Sequence, residues 1–256
     1  MADWNAGLYD RFAAERSRPA RDLLAAVPLE APKHVVDLGC GSGLSTEVLV
    51  ARFPDAVHAG IDTSPAMLET AAKRCPTARF TLGDVSTYSA SEPVSLLFAN
   101  ALFQWVPDHR GLFPRLMRQL EPGGALAYQV PDNLDEPSHA LMRAVADAPR
   151  FRDRLKGAAG ARVPLLSETE THDLLCRDAR EIIQWSTRYI HVLAGAEAIV
   201  EMVSSTGLKP FLDPLDADDR AAFLADYTAR VTAAYPRRAD GKVLFAFPLR
   251  FVVAVR

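Results

Sequence analysis

The chain has 256 residues, of which 49% are hydrophobic and 24% charged, and its formal net charge is −3. That length suits one α/β domain, with or without an inserted cap, and the composition is that of a soluble protein with ample material for a core. The near-neutral charge argues against nucleic acid or an anionic membrane as the main partner, and no apolar run approaches a membrane span.

The start Met1-Ala2-Asp3-Trp4 has neither the basic residues nor the apolar core of a targeting signal. Three scattered cysteines, Cys40, Cys75 and Cys176, show no metal-ligand spacing and fit reduced thiols in a cytoplasmic protein. Residues 8–26 carry Leu8, Phe12, Leu23, Leu24 and Val27 at roughly helical spacing, interrupted by Arg16-Ser17-Arg18-Pro19. This predicts two short helices meeting near Pro19. Tyr9 and Arg16 lie on the first of them, and Arg16 is a candidate contact for an anion.

Val35 and Val36 open a buried strand through Asp37-Leu38, and a turn with Gly39, Gly41 and Gly43 leads into a helix from about Ser42. A strand, a glycine turn and a helix begin a nucleotide site in an open α/β sheet, where bare backbone and free helix N–H groups receive the ligand. A dinucleotide fingerprint fails here because Leu44 stands where its third glycine belongs. Cys40 inside the turn reads as a small packing residue rather than a nucleophile.

Asp62 ends the next apolar run, Val57-His58-Ala59-Gly60-Ile61, and precedes Thr63-Ser64-Pro65, a helix start. A carboxylate at such a strand tip can accept from two ribose hydroxyls. Asp84 follows Arg79-Phe80-Thr81-Leu82 in the same way. The alternation predicts strands near 33–38, 56–61, 78–82, 94–99 and 124–130, with helices near 43–52, 64–74 and 110–120. Glu121-Pro122-Gly123-Gly124 reads as the stop of the last helix. Such a pattern gives a doubly wound, mostly parallel sheet, whose carboxyl-end crevice would collect Gly39, Asp62, Asp84 and Asn100. Phe103, Gln104 and Trp105 follow Asn100 and could wall a pocket.

Beyond residue 131 the pattern changes. Helices are expected near 136–147, 167–177, 195–205 and 217–234, and long strands at 180–193 and 243–255. The first long strand puts Trp185, Thr187, Tyr189 and His191 on one face, which with Arg188 suits a polar pocket for a small molecule. The run Arg150, Arg152, Arg154 and Lys156 reads as a solvated surface, or as a docking patch for an acidic carrier protein.

Asp37-Leu38-Gly39-Cys40-Gly41-Ser42-Gly43 resembles motif I of the class I S-adenosylmethionine-dependent methyltransferases. The likeness extends over the whole chain to the trans-aconitate 2-methyltransferases. It runs through Trp4-Asn5, Glu15-Arg16-Ser17-Arg18-Pro19, Ile61-Asp62-Thr63-Ser64-Pro65-Ala66-Met67, Phe98-Ala99-Asn100-Ala101 and Gln104-Trp105. It continues in Pro107-Asp108-His109, Pro131-Asp132-Asn133, Thr206-Gly207-Leu208-Lys209-Pro210 and Leu244-Phe245-Ala246-Phe247-Pro248. Ser42 departs from the proline usual in the loop.

The resemblance implies a single Rossmann-like domain over 1–256, its last strand antiparallel, with a helical lid at 1–30, a cofactor core at 31–131 and roofing helices inserted in 132–256. It implies S-adenosyl-L-methionine as cofactor, held by Asp37, Gly39, Cys40, Gly41, Asp62, Thr63, Met67, Asp84, Val85 and Asn100, with Asp84 receiving the adenine amino group. The implied acceptor is a small tricarboxylate, with Tyr9, Arg16, Gln104, Trp105, Arg188, Tyr189 and His191 as its candidate contacts. Arg16 serves either that acceptor or the methionine carboxylate of the cofactor.

No base–nucleophile pair stands near the strand tips. That is the pattern expected when the nucleophile is an already ionised carboxylate, so no catalytic residue and no metal are assigned. A monomer or weak homo-oligomer is expected. Rival readings are a methyltransferase for another small acid or a malonyl carrier thioester, a cofactor-binding protein without catalysis, and a nicotinamide dehydrogenase.

Overall fold

A computed structural model describes the backbone of residues 13–256 and the side chains from Ser17 onward. Helix α1 spans Ala13–Ala25, followed by β1 (His34–Leu38), α2 (Leu44–Arg52), β2 (Val57–Asp62), α3 (Pro65–Arg74), β3 (Arg79–Leu82) and β4 (Val94–Asn100). A 3-10 turn at Phe103–Trp105 leads to α4 (His109–Gln119), β5 (Leu120–Pro131) and α5 (Pro137–Ala146). Then come α6 (Glu168–Leu175), β6 (Glu181–Leu193), α7 (Ala196–Ser204), α8 (Lys209–Leu212), α9 (Ala217–Ala234) and β7 (Val243–Val255).

The strands form one sheet in the order β3-β2-β1-β4-β5-β7-β6. Pairings among the first five are parallel, and β7 runs against β5: Gly123 N–H donates to Arg256 O, while Asp132 N–H donates to Pro248 O. Strand β4 reads Val-Ser-Leu-Leu-Phe-Ala-Asn and is buried along nearly its whole length, as a central parallel strand covered on both faces must be. Strand β1 lies between β2 and β4, so successive connections leave it in opposite directions and the chain ends of β1, β2 and β4 frame a crevice.

Two expectations are corrected. Helix α1 runs unbroken through Pro19 instead of ending there. Proline forfeits one backbone bond, but its ring is buried alongside Ala20, Leu23 and Leu24, where α1 packs on α2 and β5, and that burial offsets the loss. The segment Glu121-Pro122-Gly123-Gly124 also lies within β5 and is no simple helix stop. Partners step from Val94↔Leu120 to Leu96↔Ala125, so the segment bulges out of register. A Cβ on Gly124 would stand 2.9 Å from Val94 O, so the bulge needs glycine there.

The chain divides into two compact units. Among the described residues, the first comprises 13–131, 163–187 and 250–256 and carries the glycine turn. Its core joins Leu38, Ile61, Leu97, Phe103, Leu116, Leu126 and Val252. The second comprises 132–162 and 188–249. There α9 packs on α5 and α7 around the rings of Phe151, Phe211, Phe223 and Tyr227. Strands β6 and β7 contribute residues to both units.

Candidate active site

In the first unit, β1 delivers Asp37 into full burial. Its Oδ2 accepts from Ser45 Oγ and Thr46 Oγ1, both at 2.7 Å, while Oδ1 has no hydrogen-bond partner. Burial raises its pKa to about 7, against the lowering effect of the two hydroxyls. The serine and threonine sit in the first turn of α2, a pairing that sequence reasoning misses. Their hydroxyls at eight and nine residues past a strand aspartate are the available signal.

The turn between β1 and α2 is held from three sides. Cys40 N–H donates to Ile61 O, Gly41 N–H donates to Asp62 Oδ2 at 2.9 Å, and Arg74 Nε donates to Ser42 O at 2.9 Å. Gly43 has φ +85°, and a Cβ there would stand 3.0 Å from Ala71 Cα, so this glycine lets α2 and α3 approach. Gly41 has φ +52°, and a Cβ there would meet nothing within 4 Å. The backbone at Gly41 therefore faces open space, as a cradle for a ligand requires. Cys40 is buried, and burial with the charges of Asp37 and Asp62 pushes its thiol far up, which suits packing and not nucleophilic chemistry.

Asp62 stands at the tip of β2, level with Leu82 at the tip of β3. Its two oxygens accept from Gly41 N–H and Ser64 N–H, so the carboxylate ties the glycine turn to the start of α3. Ser64 caps α3 by accepting from Met67 N–H, Pro65 fills the first turn, Thr63 is exposed and the Met67 side chain is buried. Asp84 is exposed and its Oδ1 accepts from Ser86 N–H at 2.8 Å, while Val85 is buried. At Gly83 beside it, as at Gly41, a Cβ would meet nothing within 4 Å.

At the tip of β4, Asn100 Oδ1 accepts from Gln129 Nε2 at 2.6 Å. Ala101 adopts φ +58° and turns the chain into the 3-10 segment, where Gln104 Nε2 donates to Ala101 O. Gln104 and Gln129 are both buried, and each leaves its Oε1 without a hydrogen-bond partner. Trp105 is partly exposed at the end of that segment. The Gln104 carbonyl accepts from Val163 N–H at 2.9 Å.

Next to the 3-10 segment the first unit holds a cavity of about 190 Å³ lined by Phe103, Tyr128, Thr171, Gln184, Trp185 and Arg250, among others. Trp185 stacks on Phe251 with ring centres 4.7 Å apart. Arg250 donates to Leu166 O at 2.8 Å and pairs with Glu168 at 3.5 Å. Burial pushes the Tyr128 phenol up, so it does not act as a base. His109 is buried, with its Nε2 2.8 Å from Phe103 O.

The remaining predicted contacts fall elsewhere. In the second unit Arg188 is exposed and pairs with Glu136 at 3.2 Å, Tyr189 is buried, and His191 lies against the rings of Phe245 and Phe247. Tyr9 and the Arg16 side chain lie outside the described residues. Arg150 and Arg154 are spent on Asp219 and Asp216, the N-terminal acids of α9, and Arg152 donates to Asp147 O. The basic run is thus largely structural, which removes the feature that favoured a carrier-protein partner.

A methyltransferase-domain profile matches residues 35–124. The trans-aconitate 2-methyltransferase of Methylobacterium nodulans (strain LMG 21967 / CNCM I-2342 / ORS 2060) is 55% identical over 256 residues, covering 100% of this chain and 99% of its own. That of Acidovorax ebreus (strain TPSY) is 52% identical over the same length, covering 100% and 99%. Among solved structures, an S-adenosylmethionine-dependent methyltransferase from Thiobacillus denitrificans in complex with S-adenosyl-L-homocysteine superposes with TM-score 0.55 at 20% identity, covering all of both chains. The YcgJ protein of Bacillus subtilis gives 0.60 at 13% identity over 93% of this chain and 98% of its own. At these identities the structures speak for the fold alone.

Proposed function

We propose, from the premise that this chain belongs to the trans-aconitate 2-methyltransferase family, that it methylates one carboxylate of trans-aconitate at the expense of S-adenosyl-L-methionine. The observation that carries the reading is the reach of the similarity. Identity above 50% spans the whole chain, including the residues beyond 124 that a general methyltransferase profile does not cover.

The residues of the first unit fit the cofactor. Gly41 and Gly83 leave open backbone beside Asp62 and Asp84, and a carboxylate at the tip of β2 is the group type that receives ribose hydroxyls. When bound, S-adenosyl-L-methionine supplies an electrophilic sulfonium methyl. Asp37, Gly39, Cys40, Gly41, Asp62, Thr63, Met67, Asp84, Val85 and Asn100 are the proposed holding set, with Asp37 acting from behind through the turn and α2.

The chain's own chemical work is positioning. A carboxylate is ionised at neutral pH and needs no base, while Cys40 and Tyr128 have their acid groups pushed up by burial. Orientation at near-contact distance and exclusion of water can supply several kcal/mol of the barrier, on the order of 7–11 at best. Gln104 and Trp105 are the proposed acceptor contacts in the first unit, with Arg16 serving acceptor or cofactor. Groups that pair tightly must grip the carboxylates that do not react, because pairing the reacting one would favour the ground state. The free thiols of Cys40, Cys75 and Cys176 support a reducing, cytoplasmic setting.

The test is product identity. With S-adenosyl-L-methionine and trans-aconitate the chain should form a monomethyl ester and S-adenosyl-L-homocysteine in equal amounts, read by mass spectrometry. Cofactor binding without any ester would leave the fold reading and sink this function.

A further inference from the structure

The loop of residues 83–93 joins β3 to β4 and carries Asp84 and Val85 of the proposed cofactor set. It contains neither helix nor strand, so side chains must fix its backbone. Two residues one turn apart on α4 do this. Arg115 donates to three carbonyls of the loop: Tyr88 O, Ser86 O at 2.6 Å and Val85 O at 3.1 Å. Gln119 Oε1 accepts from Ala90 N–H at 2.6 Å, and its Nε2 donates to Tyr88 O at 3.3 Å. Arg115 pairs with no carboxylate among the described residues, whereas Arg110 on the same helix pairs with Glu170. The planar fork of Arg115 is given over to the loop.

The effect reaches Asp84 through one peptide unit. In a trans peptide the C=O and the N–H point in opposite directions. With Val85 O turned to Arg115, the Ser86 N–H of the same peptide points the other way and donates to Asp84 Oδ1 at 2.8 Å. That bond fixes the direction of the carboxylate. No other described group donates to the Asp84 side chain, so its Oδ2 stays available as an acceptor. Beside it, Gly83 N–H donates to Asp62 O at 3.0 Å and ties the start of the loop to β2. A Cβ on Gly83 would meet nothing within 4 Å, so the carboxylate stands next to open backbone.

We infer that Arg115 is a positioning residue that sets base selectivity in the cofactor site. It fixes the 85–86 peptide, and that peptide holds Asp84 ready to accept the exocyclic amino group of adenine. The inference rests on the S-adenosyl-L-methionine reading given above. Lysine, a point charge on a flexible stem, cannot span three carbonyls as the guanidinium does. Without the fork the peptide is free to rotate, and the acceptor loses its fixed direction.

The experiment is calorimetric titration with S-adenosyl-L-homocysteine and with S-inosyl-L-homocysteine, in which a 6-oxo group replaces the amino group. The parent should prefer the adenine ligand on the order of 10- to 100-fold, the worth of a charge-assisted hydrogen bond. Arg115→Met should lower that preference on the order of 10-fold, chiefly by weakening the adenine ligand. Arg115→Lys should fall between the two. A purely structural role would lower the unfolding midpoint and weaken both ligands alike, leaving the ratio unchanged. Arg118→Met, exposed on the same helix, is the control and should keep the parent's ratio. Where Arg115→Met does not fold, Arg115→Lys carries the test by the same criterion. A ratio within twofold of the parent in the folded variant overturns the inference alone, as does a parent that binds both ligands equally. A parent that binds neither ligand sinks the cofactor reading and this inference with it. A lowered ratio in the variant without methyl transfer by the parent sinks only the proposed function.

Discussion

The two units treat charge in opposite ways. The first surrounds its ligand crevice with backbone: glycines at 41 and 83 leave open space, and the Asp62 carboxylate ties the turn together by accepting from two N–H groups. The second works through long side chains, with Arg150, Arg154 and Arg188 spent on Asp219, Asp216 and Glu136. Backbone holds a ligand part common to many enzymes of a fold; side-chain forks can be exchanged without disturbing strand and turn. The difference supports the proposal that the cofactor lies against the backbone of the first unit.

The largest break in that comparison should come from Asp62→Ala. Two backbone donors lose their acceptor and the ribose contacts go with them, at about 1–3 kcal/mol for each unmet donor. S-adenosyl-L-homocysteine affinity should fall on the order of 100-fold or more. A loss below threefold by calorimetry would remove Asp62 from the site.

Tyr227→Phe probes the frame of the second unit. The Tyr227 hydroxyl donates to Ser138 O at 2.9 Å in full burial, and removing it takes one bond from a carbonyl in the first turn of α5. Urea unfolding should show a loss of about 0.5–1.5 kcal/mol, with cofactor affinity unchanged. A loss of cofactor affinity would mean the division of labour is wrong.

Asp37→Asn sharpens the account of the first unit. The folded pKa of about 7 lies above the ordinary 3.8, so the folded protein holds this proton more tightly than the unfolded chain does. Stability from this group is full below about pH 4 and is lost as pH rises toward about 7. The stability difference between the parent and Asp37→Asn should therefore shift in the variant's favour across that interval, read from Tm at each pH. A difference independent of pH contradicts the burial argument. The smallest effect belongs to Arg152→Glu, which should leave methyl transfer unchanged because the basic run serves the fold.

Much of the first unit is legible in the sequence alone. Regular alternation of apolar runs, the helix opener Ser64-Pro65 and the acids at strand tips can be read because each is local chemistry. Pro19 misleads because a proline's cost is visible in the sequence and the burial that offsets it is not. The segment 121–124 misleads for a similar reason: its bulge is fixed by Val94 O, a residue distant in sequence. Asp132-Asn133 and Thr206-Gly207 are visible as motifs. Their surroundings are not, because Asn133 receives Arg162 and Gly207 meets His139, residues distant in sequence.

The central claim is that this chain esterifies a carboxylate of trans-aconitate, and acceptor selectivity tests it most directly. The measurement is kcat/KM for methyl transfer from labelled S-adenosyl-L-methionine to trans-aconitate, citrate and a malonyl thioester under identical conditions. A base-labile label with trans-aconitate strongly preferred is the predicted result. Equal rates with all three, or preference for the thioester, would contradict it.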